Sequence, residues 1–114
     1  YKIPHGDACS VFLPVSMELN LSYAAGKYEK IAKALGAAGE DLTEEENARR
    51  GIARIRELRR RIGAPESLSP YITEKPDMAE LISTIMRTTG HITCNPRPVD
   101  EALMAEAFER AISY

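Results

Sequence analysis

One long apolar segment near the start of the chain most restricts the fold that it can adopt. Apolar residues are nearly continuous over Asp7–Leu21. Several of them recur at helical spacing: Ala8, Phe12, Val15 and Leu19. A helix that is apolar on most sides must be surrounded by other elements, so we expect this one at the centre of its domain. Pro14 removes a backbone donor inside the segment, and we therefore expect a kink there.

The rest of the chain also carries helical signals, and no strand alternation is sustained anywhere. Further helices are predicted at Ala24–Leu35, Thr43–Ile62, from Asp77 onward, and from Asp100 to about Ser113. Thr43 and Glu46 form a capping box, and Gly36 and Gly63 are stop signals. Two sets of residues should face inward: Tyr28, Ile31 and Leu35, and the stripe Ala48, Ile52, Ile55, Leu58 and Ile62. The sequence predicts an all-α bundle of about five main helices in a single domain, residues 1–114.

Composition and charge exclude several classes of function. The formal net charge of −2 gives no general attraction to nucleic acid or to acidic membranes. Seven arginines between Arg49 and Arg61 lie off the apolar stripe and are typical of a solvated helix face. No apolar run approaches the length of a membrane span, and no secretory signal leads the chain. Cys9 and Cys94 could form one bridge, but reduced thiols in the cytoplasm are the simpler interpretation.

Familiar catalytic motifs are absent from the sequence. There is no Gly-rich dinucleotide turn, no phosphate-binding loop, no HExxH and no serine nucleophile elbow. We therefore assign no catalytic residue and no cofactor-binding residue in this chain. With His5 and His91 as the only histidines, a metal site would need carboxylates or ligands from elsewhere.

Two short strings at opposite ends of the chain remain: Pro4-His5-Gly6 and Asn95-Pro96-Arg97-Pro98. From the residues alone, an accessible histidine before a helix is the favoured interpretation of His5, because a single histidine is seldom a metal ligand. Imidazole is nonetheless a natural donor to divalent iron or zinc. Arg97 lies between two prolines in extended backbone, and we expect its guanidinium to bond carbonyls at a helix end or a carboxylate.

Together, these strings and the segments between them resemble the C-terminal helical domain of the iron-containing (group III) alcohol dehydrogenases, which have the dehydroquinate synthase-like fold. The resemblance covers nearly the whole chain. It rests on the run from His5-Gly6 through Leu13-Pro14 to Met17 and Asn20, on Tyr28, Ile31, Ala32, Ala34, Leu35 and Gly36, on Ile55, Leu58, Ile62, Gly63 and Pro65, and on Asn95-Pro96-Arg97.

The resemblance implies that His5 is one of four metal ligands, the other three being an Asp and two histidines upstream of this motif. The expected metal is Fe2+, with Zn2+ as the alternative, and the expected cosubstrate is NAD(P). The metal would polarise an alcohol or aldehyde oxygen, and hydride would pass to or from the nicotinamide. The chain would be the C-terminal part of a longer two-domain enzyme, inactive without its nucleotide-binding domain. Neither metal nor NAD(P) should bind tightly to the chain alone, and a homo-oligomer is compatible with it.

One position departs from the family pattern. Many members have a cysteine four residues before the Asn of the NPR string, where it lines the substrate pocket, and here that position is His91. His91 is either a loop residue with no special role or a hydrogen-bonding group in the pocket wall. A second function also stays open, a non-catalytic helical module that binds another protein.

Overall fold

The computed structural model describes residues 2–74, 76–87 and 93–113, and these residues contain helices and no strand. Helix α1 spans His5–Ala34, α2 spans Glu44–Arg61, α3 spans Met78–Met86 and α4 spans Glu101–Ser113. A short 3₁₀ helix, Ser69–Tyr71, follows α2. The predicted all-α fold is confirmed. No helix of the described part is both long and apolar enough to cross a membrane.

The first half of α1 is the centre of the fold, as predicted. Three clusters of buried apolar residues hold the helices together, and α1 contributes to each of them. Met17 and Leu21 pack against α2, and Val11 packs against Leu68 and α4. Val15 and Leu19 pack against Leu103 of α4. Because α1 presents apolar residues on several sides, other elements cover it from several directions.

The first two predicted helices meet at a kink within the continuous span of α1. Between Leu21 and Ala24 the chain has no Gly or Pro, so no residue there requires a loop between the two helical segments. Ala24 alone within α1 departs from helical angles, with φ −142° and ψ 23°, and it marks a kink between the two segments. The helix thus departs from regular geometry ten residues after Pro14, where we had expected the kink.

Pro14 is tolerated inside α1 because another residue supplies the donor that it lacks. In a regular helix the carbonyl oxygen of Ser10 would accept from the N–H of residue 14, and proline has none. Nη1 of Arg59, on α2, donates instead to that oxygen at 3.0 Å. The Arg59 side chain is only 10% exposed. Burial lowers the pKa of its guanidinium from the ordinary value.

Helix α2 begins and ends as the sequence predicts, but its apolar stripe is buried only in part. The hydroxyl of Thr43 accepts from the backbone N–H of Glu46 at 3.2 Å, and Gly63 follows the helix at φ 72°. Ala48 and Ile52 are buried, whereas Leu58 is 39% and Ile62 is 78% exposed. The inward positions predicted for Leu58 and Ile62 are therefore wrong. Periodicity identifies one helix face, but it does not fix how far a neighbour extends along that face.

A contact between two small residues brings α1 and α2 close together. Gly51 of α2 is buried against Ala32 of α1, which is fully buried. A Cβ atom on Gly51 would lie 3.0 Å from the Ala32 Cβ and 3.2 Å from its Cα. Ile31, predicted to face inward, is 39% exposed because Ala32 occupies the contact in its place.

Replacing Gly51 by leucine should lower the free energy of unfolding by about 1–3 kcal/mol, because the larger side chain must push two helices apart. Ala53 is exposed on the same helix, so Ala53→Leu is the matched control and should change stability by less than about 0.5 kcal/mol. Urea denaturation of both variants measures the difference. Equal midpoints would show that the helices are not in close contact at Gly51.

Candidate functional site

His5 is the first residue of α1, and its side chain is exposed. Pro4 precedes the helix in an extended conformation, with φ −55° and ψ 138°, and its carbonyl oxygen accepts from the N–H of Ala8 at 3.1 Å. A Cβ atom on Gly6 would meet nothing within 4 Å. The Pro4-His5-Gly6 string thus presents an imidazole at an open helix start, as the sequence predicts.

Cys9 and Asp7 lie near His5 on the first turns of α1. Cys9 is exposed, and its Sγ lies 3.4 Å from Nε2 of His5. Asp7 accepts a hydrogen bond from the hydroxyl of Tyr71, which follows α2. This bond raises the pKa of Tyr71, because it stabilises the protonated phenol. Within residues 2–74, 76–87 and 93–113, no three His, Cys, Asp or Glu side chains come together as a possible metal site.

The NPR string binds to α1 near its kink. The side-chain amides of Asn95 and Asn20 exchange two hydrogen bonds of 2.8 Å, and Asn20 is only 6% exposed. Nη1 of Arg97 donates to the carbonyl oxygen of Leu19 at 2.8 Å, and its guanidinium lies 5.7 Å from the ring centre of Tyr23. The structural role predicted for Arg97 is confirmed, although its acceptor lies within α1. The amide pair thus joins the NPR string to a residue of α1 that lies 75 positions earlier in the sequence.

An apolar cavity of about 300 Å³ lies beside α1, between α3 and α4. Phe12 and Phe108 meet edge to face in its wall, with ring centres 5.2 Å apart. Ser16, Asn20 and Asn95 are the polar residues of its lining. The α1 residues of the wall share a helix face with His5 and Cys9, because His5, Cys9, Phe12, Ser16 and Leu19 follow the spacing of one face.

The other residues selected from the sequence have separate outcomes. His91 lies outside the described residues. Cys9 and Cys94 form no disulfide. Sequence analysis missed the proximity of Cys9 to His5 and the bond from Arg59 to Ser10. The four-residue interval from His5 to Cys9 and the proline four residues after Ser10 were the available signals. No local signal pairs Asn20 with Asn95.

Comparison with known proteins identifies similar sequences over nearly the whole chain. The model of the "Fe-containing alcohol dehydrogenase family, C-terminal" matches residues 1–112. An NADPH-dependent butanol dehydrogenase of Clostridium saccharobutylicum is 29% identical over an alignment of 112 positions that covers 96% of this chain and 28% of that protein. A lactaldehyde reductase of Escherichia coli K12 is 31% identical over 81 residues, 71% of this chain and 21% of that protein. The chain thus spans less than a third of either relative.

Proposed function

This chain belongs to the Fe-containing alcohol dehydrogenase family, in its C-terminal part, and we propose that it provides the metal- and substrate-binding helices of an NAD(P)-dependent alcohol dehydrogenase. The family match over residues 1–112 is the observation that carries this proposal. We call the combination of this chain with the upstream part of the enzyme, which would carry the other three metal ligands and a nucleotide-binding domain, the assembled enzyme. That domain would supply the binding surface for NAD(P), for which this chain has no motif.

The residues around His5 fit a metal site that is completed by ligands upstream of the Pro4-His5-Gly6 string. The ring of His5 is exposed, and a Cβ atom at Gly6 would meet nothing within 4 Å. The carboxylate of Asp7 already accepts a hydrogen bond from Tyr71. His5 would therefore hold the metal with ligands from outside this chain, Fe2+ being the first choice and Zn2+ the second. A bound divalent metal would polarise the oxygen of an alcohol or aldehyde.

The cavity beside α1 supports a small aliphatic substrate. Its wall is mostly apolar side chains, which suit a hydrocarbon chain, and a few polar groups can orient it. One relative is a butanol dehydrogenase and another a lactaldehyde reductase. We propose a small alcohol or aldehyde as the substrate, and His91 as a hydrogen-bonding residue of the pocket wall.

The exposed Leu13, Leu58 and Ile62 do not favour a protein-interaction module, because an enzyme domain also exposes the face that its partner covers.

Cofactor reduction by the assembled enzyme and by this chain alone tests the proposal. With Fe2+ or Zn2+ and a panel of short alcohols and diols, we expect metal-dependent reduction of NAD or NADP by the assembled enzyme and none by the 114-residue chain. In the same assay, His91→Cys should change the ratio of kcat/KM between a diol and a chain-matched simple alcohol, since a site that hydrogen-bonds a second polar group penalises substrates without one. Activity in the isolated chain would contradict the proposal, and so would an assembled enzyme that binds metal and cofactor but oxidises no alcohol. Cytoplasmic location stays a prediction.

A further inference from the structure

We propose that the cavity beside α1 binds the hydrocarbon tail of the substrate, and that the preferred alcohols or aldehydes are unbranched chains of about eight or more carbons. The inference rests on the proposed function, because it takes His5 as the metal ligand beside which the reacting oxygen lies. It adds a length requirement to the substrate class of that function.

The cavity lies along the face of α1 that carries His5. Phe12 and Ser16 line the cavity, and at 3.6 residues per turn they lie within about 20° of His5 around the helix axis. This part of α1 keeps helical angles, since Ala24 is the residue of the helix that departs from them. A chain that starts at a metal on His5 can therefore follow one helix face into the cavity.

The distance between His5 and the cavity sets the length of chain that is required. Phe12 follows His5 by seven positions, which is a rise of about 10 Å along the helix axis. With C–C bonds of about 1.5 Å, an extended hydrocarbon advances about 1.25 Å per carbon, so about eight carbons cover this rise. Butanol would end about halfway, whereas the tail of a longer alcohol would enter the cavity.

Helix α4 gives the cavity a near end and a far end relative to the start of α1. Phe108 meets Phe12 edge to face, whereas Leu103 packs in one cluster with Leu19. Helix α4 therefore runs antiparallel to α1, with the aromatic pair at the near end and the two leucines at the far end. Ala107 lies between these ends and has the smallest apolar side chain of the lining.

The lining of the cavity suits a saturated hydrocarbon. An apolar cavity of about 150 Å³ holds one benzene molecule, so the volume of about 300 Å³ accommodates roughly twice as many carbon atoms. Most of the lining side chains are apolar, and each CH₂ group buried among them contributes roughly fourfold to affinity. The amides of Asn20 and Asn95 exchange two hydrogen bonds, so these polar groups already have partners beside a hydrocarbon.

A series of unbranched alcohols tests the length requirement in the assembled enzyme. We expect kcat/KM to change little from butanol to hexanol and to rise from octanol onward, so that decanol exceeds butanol by at least about tenfold. Ala107→Leu places a larger side chain inside the cavity and should reduce this preference for decanol by at least about tenfold. The matched control is Ala102→Leu, the same change at an exposed position of α4, which should keep the preference.

A binding measurement on the metal-free assembled enzyme provides a result that does not depend on turnover. Titration calorimetry should show decanol binding with a negative heat-capacity change, because apolar surface is buried. Ala107→Leu should weaken this binding by at least about tenfold, and Ala102→Leu should leave it unchanged. Urea denaturation midpoints at or above the wild-type value would show that both variants are folded.

The possible results separate this inference from the proposed function. Equal kcat/KM for butanol and decanol, or a decanol preference that survives Ala107→Leu, overturns the role of the cavity and leaves alcohol oxidation in place. Failure of decanol to bind the metal-free enzyme overturns it as well. If Ala107→Leu does not fold, the wild-type series and the titration decide the question without it. If the metal-loaded enzyme oxidises no alcohol of any length, the proposed function itself fails.

Discussion

Replacing His5 by alanine should strip the assembled enzyme of its metal and abolish alcohol oxidation, while the helical domain stays folded. Loss of an outer-shell partner alone costs 10–100-fold in metal affinity, so we expect more than about 100-fold for a ligand. His5 is exposed and begins a helix, and alanine is the better helix former, so the free energy of unfolding should change by less than about 0.5 kcal/mol.

The matched control is Lys2→Ala, which removes an exposed side chain three residues earlier in the chain. Metal content by elemental analysis, kcat/KM and the denaturation midpoint should be measured for both variants. The Lys2 variant should keep all three values. Full metal occupancy in His5→Ala would remove this histidine from the site, and a large drop in its midpoint would assign His5 a structural role.

The sequence could predict the features of the fold that depend on neighbouring residues. Thr43 accepts from the backbone of Glu46, and Gly36 and Gly63 have the positive φ of helix stops. The predicted division between Leu21 and Ala24 is confirmed by the kink at Ala24, although no loop separates the two helical segments. The exposure of Ile62 was missed because burial depends on which partner reaches the end of α2.

The candidate site also combines features that neighbouring residues determine with features that depend on distant partners. The position of His5 at the start of α1 follows from Pro4 and Gly6, which are local signals. The amide pair of Asn20 and Asn95 joins residues 75 apart, and nothing in either local sequence requires it. Only the family resemblance, whose pattern includes both Asn20 and Asn95, connects these two residues at the level of sequence. His91 falls outside the described residues, so its place in a pocket stays a prediction.

Arg59 is another residue whose role depends on a distant partner. Six other arginines lie in the same stretch of α2, and all were assigned to a solvated face. Arg60 fits that description, with a side chain that is 74% exposed. Arg59 does not, because its guanidinium reaches the Ser10 carbonyl at 3.0 Å and its Nε is buried without a hydrogen-bond partner in the described structure. The difference arises because Pro14 leaves an acceptor on α1 that only a residue facing it can satisfy.

The energetic link between Arg59 and Pro14 leads to our last prediction. Arg59→Ala should lower the free energy of unfolding by about 2–4 kcal/mol, because it removes a charged hydrogen bond, leaves a partly buried carbonyl unpaired and empties the space of a buried stem. Arg60→Ala should cost less than about 0.5 kcal/mol. In a Pro14→Ala background the restored backbone N–H can donate to Ser10, so Arg59→Ala should cost about 1–2 kcal/mol less than in the wild type. Urea denaturation of the two single variants, the double variant and the wild type gives this coupling energy. A coupling near zero would mean that Arg59 stabilises the domain by packing and by its ion pair with Glu66, and does not replace the donor that Pro14 lacks.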